Sequence, residues 1–233
     1  MRNYFIFGNI DSRDCGVYIS RNGVYNAPER EYNVVSVPGR NGDLIIDSGR
    51  YKNITLTYKA FIVSDFAQNI GALRSVLLSQ NGYKRLEDSY NPDEFRQAYF
   101  QGGINVSPRK QGDAGEFDLS FICKPQRFLK SGDEEIEITI EGSVQNPTPF
   151  PAKPLITVNG NGTLYWGDEE IVVESGFDSI TIDSELCDCY HNSQNANDLV
   201  TFSSGNFPLL QPGLTEIGWE GDDMTIIPRY FNL

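Results

Sequence analysis

A Pro-Gly and an Asn-Gly lie close together in Ser36-Val37-Pro38-Gly39-Arg40-Asn41-Gly42-Asp43-Leu44 and set the first local structure of this chain. An apolar run ends at Val37 and alternation resumes at Leu44. Pro38 fixes one φ angle and donates no ladder hydrogen bond. Gly39 and Gly42 admit positive φ, and Asn41 tolerates it. That is the chemistry of a tight hairpin between two strands. The same punctuation runs through the whole sequence, with 22 glycines and 12 prolines among 233 residues, and it favours many short strands over a helical bundle. Hydrophobic residues make up 39% and aromatics 12%, enough for packed cores and too many for a disordered chain.

The residues up to 130 read as a first domain. Tyr4–Phe7 and Gly16–Ile19 are short strands, and Tyr32–Val37 and Leu44–Asp47 flank the hairpin tip. From Lys52 to Ile62 the alternation is strict. Ile54, Leu56, Tyr58, Ala60 and Ile62 share one face, opposite Thr55, Thr57 and Lys59, as in a half-buried strand. Ser64–Gln80 is the one convincing helix. Ser64 is its expected N-cap and Asp65 suits the positive helix end. Phe66, Ile70, Leu73, Val76 and Leu77 form the apolar stripe, and Asn81-Gly82 is the expected left-handed stop. Tyr83–Leu86, Ala98–Val106 and Phe117–Cys123 return to strand character, with a bulge or close backbone approach expected at Gly102-Gly103.

Polar Lys130–Glu135 is the expected boundary, and residues 136–233 read as a second domain. Ile136–Ile140 opens it. Pro147-Thr148-Pro149-Phe150-Pro151-Ala152-Lys153-Pro154 holds the chain extended, as in a crossover between two sheets. Short strands follow at Leu155–Asn159, Thr163–Trp166, Glu170–Val173, Ser179–Ile182, Leu186–Tyr190, Leu214–Trp219 and Met224–Ile227, with Asn159-Gly160-Asn161-Gly162 as a hairpin turn. About eight short strands without a helix indicate a β-sandwich. The fold class is therefore mainly β, with one α-helix, in two domains.

The formal net charge of −13 argues against a stably bound nucleic acid or an anionic membrane surface, since phosphate recognition needs clustered Lys and Arg. The start of the chain has no signal-peptide core, and no run approaches the length of a membrane span, so synthesis and folding in a cytoplasm are expected. Cys15, Cys123, Cys187 and Cys189 are too sparse for a disulfide framework.

One cluster invites a sharper reading. In Cys187-Asp188-Cys189-Tyr190-His191, a strand would place residues 187, 189 and 191 on one face, where two thiolates and an imidazole could approach zinc. A fourth ligand is missing and the spacing is too short, so the stronger reading is a strand with buried free thiols, and a Cys187–Cys189 disulfide is disfavoured. His191, the sole histidine, has no nucleophile motif with it and reads as an exposed residue at a strand end. Asp133-Glu134-Glu135, Asp168-Glu169-Glu170 and Asp222-Asp223 could be glycosidase carboxylates or calcium ligands, but beside glycines they read as solvated turn tips. No glycine pattern is followed by the Lys-Ser/Thr of a phosphate loop. Trp166 and Trp219 are either sugar-stacking platforms or core, and core is preferred. No catalytic residue, cofactor site or metal site is assigned, and the chain is not expected to be an enzyme.

The order of VPGRNGDL, LTYKAFI and SFICKPQRF, then GNFPLLQPGLTEIGW and the terminal IIPRYFNL, resembles the distal tail protein (Dit) family of siphophages along nearly the whole length. The resemblance implies an N-terminal β-sandwich or barrel-like ring domain with one helix and a C-terminal galectin-like β-sandwich. It implies a virion component at the distal end of a long non-contractile tail, made in the bacterial host cytoplasm. Six copies would form a ring joining the tail tube protein to the tail-associated hub protein, with contacts to tape measure and receptor-binding proteins. DNA would only pass through the lumen, whose lining could include Asp43, Asp47, Glu87 and Asp88, taken as loop residues, against Arg40, Arg50 and Lys52. No membrane insertion is implied. The alternative is a carbohydrate-binding adhesion module of β-sandwich type.

Overall fold

The alternation between Ile54 and Ile62 forms one long strand, and its apolar row is buried residue by residue: Ile54, Leu56, Tyr58, Ala60 and Ile62. The computed structural model describes residues 2–20, 26–108, 113–174 and 176–233. The chain falls into two units, residues 1–127 with Leu233, and residues 128–232. The first holds β1 (Phe5–Phe7), β2 (Ile10–Asp11), β3 (Val17–Ser20), β4 (Arg30–Val35), β5 (Leu44–Tyr51), β6 (Ile54–Ile62), α1 (Phe66–Leu78), β7 (Lys84–Asp88), β8 (Glu94–Tyr99), β9 (Val106–Pro108) and β10 (Gly115–Cys123). Then come β11 (Arg127–Leu129), β12 (Ile136–Ile138), β13 (Glu141–Asn146), β14 (Leu155–Asn159), β15 (Gly162–Trp166), β16 (Glu169–Val173), β17 (Ser179–Asp183), β18 (Asp188–His191), β19 (Gln194–Asn195), β20 (Val200–Phe202), β21 (Gly213–Trp219), β22 (Met224–Ile227) and β23 (Phe231–Asn232).

In the first unit the strands run β2-β1-β7-β8-β10-β6-β3, antiparallel at every junction. β6 and β10 pair over nine consecutive residues, from Ile54↔Cys123 to Ile62↔Gly115. Their inward rows meet in an aromatic cluster. The Phe5 and Tyr58 rings stack at 5.9 Å, and Phe7 and Phe100 lie 4.9 and 5.8 Å from Phe121. Ile19 N–H donates to the Asn3 carbonyl at 2.9 Å, tying β3 at one end of the sheet to the segment leading into β1 near the other, so the sheet curls toward a barrel. Helix α1 packs on β3 and β6 through buried Phe66, Ile70, Leu73 and Leu77.

Three local expectations in this unit need correction. The helix is not capped by Ser64. Asp65 is the N-cap, at φ +52° and without a side-chain cap bond. The orphan N–H groups are satisfied across the fold, with Asp65 N–H on the Asp113 carboxylate (2.9 Å) and Phe66 N–H on the Asp113 carbonyl (3.3 Å). The helix also ends before Asn81-Gly82. Leu78 is its last residue and Ser79 caps it in a right-handed conformation, while Gly82 (φ +70°) turns the chain toward β7. Finally, Gly102-Gly103 is not a bulge within a strand. β8 stops at Tyr99, and both glycines sit at positive φ in the connection to β9.

The second unit is a two-sheet sandwich, β12-β22-β14-β17-β18-β19 against β13-β21-β15-β16-β20, with more strands than the sequence spacing suggested. Ile156, Val158, Ile180, Ile182 and Met224 of one sheet and Val144, Leu164, Ile171, Ile217 and Trp219 of the other form a single buried cluster. Trp166 and Trp219 are both core, and their indole N–H groups donate to the Leu209 and Asn159 carbonyls. The proline-rich segment does cross between sheets, from β13 to β14. Buried Asn146 holds it, donating to the Phe150 and Leu210 carbonyls and accepting from the Thr148 N–H and hydroxyl. Asn159–Gly162 is not a hairpin turn, because β14 and β15 lie in different sheets. Asn159 bonds to Asp222 and Asp223 instead, which pins the crossing.

One buried ion pair anchors this unit. Asp183, with its side chain 5% exposed, takes two bonds from the Arg229 guanidinium (2.7 and 3.1 Å) and the N–H groups of Glu185 and Leu186. Burial works against the charged carboxylate, but the Arg229 and backbone bonds outweigh it and hold Asp183 below its ordinary value. A depressed carboxylate adds stability above its unfolded value of about 4 and loses it as pH falls through the folded value. Asp183→Asn should therefore cost about 3 kcal/mol at neutral pH, the low end for breaking a buried pair because Arg229 keeps some access to water. In urea melts the gap between wild type and variant should narrow from about pH 7 to about pH 2.

Candidate assembly interface

The hairpin read from Pro38–Asp43 joins β4 and β5, and these two strands form a sheet of their own. Gly39 and Gly42 both sit at φ +80° with open space where a side chain would start, so they serve the backbone turn alone. Arg40 N–H donates to the Val37 carbonyl at 3.2 Å across the tip.

The base of the hairpin is polar and fastened. Between Arg30↔Tyr51 and Tyr32↔Asp47 the register shifts, so that Glu31 alone faces Ser48, Gly49 and Arg50. Gly49 takes φ +74°, its N–H bonded to the Asp47 carboxylate, while the Ser48 hydroxyl donates to the Glu31 carbonyl at 2.7 Å. Arg30 pairs with Asp47, Arg50 with Glu31, and Lys52 with Glu29 at 3.2 Å. The Arg30 bond holds the Asp47 carboxyl below its ordinary range.

The outer half is apolar on both faces. Val34 pairs with Ile45, and these are 60% and 63% exposed; on the opposite face Val35, Leu44 and Ile46 are 44%, 42% and 50% exposed. Among the described residues no further strand pairs with the outer edge of either strand. A two-stranded ribbon is marginally stable in water, and one with apolar side chains on each face has no inner side to bury.

The other sequence candidates are dispersed. Cys187 is not on a strand: it sits at φ +53° in the turn before β18 and is exposed, whereas Cys189 is buried in β18 and its thiol is pushed up to about 12 by burial. The two side chains therefore do not share a strand face. His191 is not exposed. It stacks on Phe177 at 4.8 Å, its Nδ1–H donates to the Ser179 carbonyl (2.7 Å), and the Asn192 amide meets Nε2 (2.7 Å), so both ring nitrogens are engaged. Among the described residues no group of His, Cys, Asp or Glu has metal-binding geometry. With their indoles inside the sandwich, Trp166 and Trp219 offer no platform for a sugar. Asp47 of β5 and Glu87 and Asp88 of β7 are strand residues, not loop residues, and Asp88 accepts the Tyr58 hydroxyl at 2.7 Å. No described helix is long and apolar enough to cross a membrane. The sequence reading located the hairpin but not its isolation from the main sheet, which alternation alone does not encode.

Residues 10–123 match the model of the phage tail protein RIFT-related domain family. No curated protein matches the chain in sequence. Among solved structures, the Dit protein of phage SPP1, described as a paradigm of the hub adsorption apparatus in phages infecting Gram-positive hosts, aligns over 97% of this chain and 98% of its own, at 15% identity and a TM-score of 0.71. Chains from the phage p2 baseplate in its activated conformation align over 97% of both partners at 11% identity, with TM-scores of 0.53 in the calcium form and 0.54 in the strontium form.

Two expectations follow from the local geometry. Gly42→Val should strain the tip, by about 1–3 kcal/mol for a β-branched residue held at positive φ, yet leave the main thermal transition in place, because the hairpin lies outside both cores. Hydrogen exchange of β4 and β5 against β6 and β10 reads this difference. Elemental analysis of untagged protein should return no stoichiometric zinc, and Cys187→Ser should leave the melting temperature unchanged.

Proposed function

We propose, from the match of residues 10–123 to the phage tail RIFT-related domain and the likeness of the whole chain's fold to a siphophage distal tail protein, that this is a structural, non-catalytic component of a long non-contractile phage tail. Six copies close into a ring at the distal tail tip. The ring joins the tail tube protein to the tail-associated hub protein, and the second unit, residues 128–232, offers the surface for other baseplate, tape measure or receptor-binding proteins. The protein is made in the bacterial host cytoplasm and ends in the virion.

The observation that carries this reading is the β4–β5 ribbon, exposed on both faces and along both edges. In a closed ring every copy gives one such element and receives another, which covers the apolar faces without open-ended growth. The excess of 32 acidic over 19 basic residues suits a lumen through which DNA slides, because a basic wall would hold phosphates through counterion release. Of the three basic residues named for the lumen, Arg50 and Lys52 are paired with Glu31 and Glu29, which supports a lumen with little free basic charge, whereas Arg40 at the hairpin tip has no carboxylate partner among the described residues.

Light scattering over a concentration series, alone and with tail tube protein, should give a hexamer. Val34→Asp combined with Ile45→Asp should leave the monomer's melting temperature within about 2 °C of wild type and lower self-association at least about tenfold, since each charge would have to be buried in the contact. A wild-type chain that stays monomeric under every condition would exclude the ring.

A further inference from the structure

β8 carries an anomaly. Strand side chains alternate between faces, so Arg96 shares the face of Ala98, which is fully buried. An arginine here points from the core-facing row into the first unit. It lines a cavity of about 160 Å³ together with Tyr58, Asp88, Glu94, Arg127 and Asn26.

The two carboxylates in this wall are already engaged. Glu94 pairs with Arg127 at 3.2 Å, and Arg127 also donates to the Leu233 carbonyl. Asp88 accepts the Tyr58 hydroxyl on one oxygen and the N–H groups of Tyr90 and Asn91 on the other. Arg96 forms no hydrogen bond or ion pair among the described residues. Burial pushes its pKa down from the ordinary value, and the like charge of Arg127 adds to this. Nearby Cys123 supplies no thiolate, because burial pushes its thiol up to about 12. A guanidinium keeps its proton under all ordinary conditions; the Glu94 carboxylate, shared with Arg127, offsets the cost of this half-buried cation only in part, and its hydrogen-bonding fork is left for an anion brought in from outside. A carboxylate matches the fork of donors on Arg96 bidentately, and the Asn26 amide offers a further N–H.

We propose that this cavity is an anion site that takes a carboxylate on Arg96, supplied either by a small organic acid or by an acidic side chain of another chain. Every residue that the site uses lies within the first unit.

The test uses the full chain with sodium acetate and sodium citrate against sodium chloride at equal ionic strength. Wild type should gain about 3–5 °C in Tm at a tenfold excess over Kd, and titration calorimetry should give a saturable isotherm. Arg96→Met should melt at or above the unliganded wild type, because a half-buried cation without a hydrogen-bonded partner has been removed, and should lose the response to carboxylate. Arg96→Gln should lose it as well, with affinity at least about tenfold weaker. No saturable binding to wild type, or equal stabilisation of wild type and Arg96→Met, overturns the proposal. A second arm separates the sources once binding is seen. Acetate that also weakens self-association of wild type identifies a neighbour's acidic side chain, and acetate that leaves self-association unchanged identifies a ligand taken from solution.

Discussion

The first unit depends on the nine-residue seam between β6 and β10. The elements beside it are placed by it. β3 pairs with the outer side of β6, β8 and β9 pair with β10, and α1 packs against the seam's inner residues. The seam is also tight: a methyl group on Gly115 would lie 2.3 Å from the Phe66 ring, so the strand and the helix meet there with no slack. Because side chains alternate strictly, a slip of one residue would turn the whole aromatic cluster outward, and the register is thereby fixed by burial.

The second unit meets the same physical demand differently. A sandwich needs connections that cross between sheets, and each crossing exposes backbone that no ladder satisfies. At one crossing the Asn146 side chain supplies the missing partners; at the other the Asn159 backbone pairs with Asp222 and Asp223 while its amide donates to the Asp223 carboxylate. The Asp183–Arg229 pair fixes the chain near its end, with Arg229 held at φ +58°. Side-chain amides and one ion pair do here what consecutive strand pairing does in the first unit.

Elements whose burial is periodic were legible from residue type alone. The β6 row, the helix stripe and the two core tryptophans follow from period and polarity. Features set by distant residues were not. Ser64 looked like a cap because local preference ignores Asp113, and Asn159–Gly162 looked like a hairpin because turn chemistry does not say which sheet the next strand joins. Cys187 left its strand through a single positive φ. The ribbon was recognised as a turn, but its strands read as ordinary sheet members. Its exposure emerges only once no third strand is found beside them among the described residues. The signal at Arg96 was present in principle, as a charge on the same strand face as Ala98, but the short apolar runs around β8 hid the alternation.

The cap on α1 ties the start of the helix to the order in which the chain assembles. Asp113 lies 48 residues beyond Asp65, just before β10, so the first turn finds its partners only after β10 has come back beside β6. Thirteen helical residues with an unfavourable left-handed N-cap are a poor nucleus in water. The helix is thus a late element that locks a preformed seam. Folding of the first unit is therefore expected to wait on a long loop closure instead of on local helix formation, the behaviour of chains rich in non-local contacts.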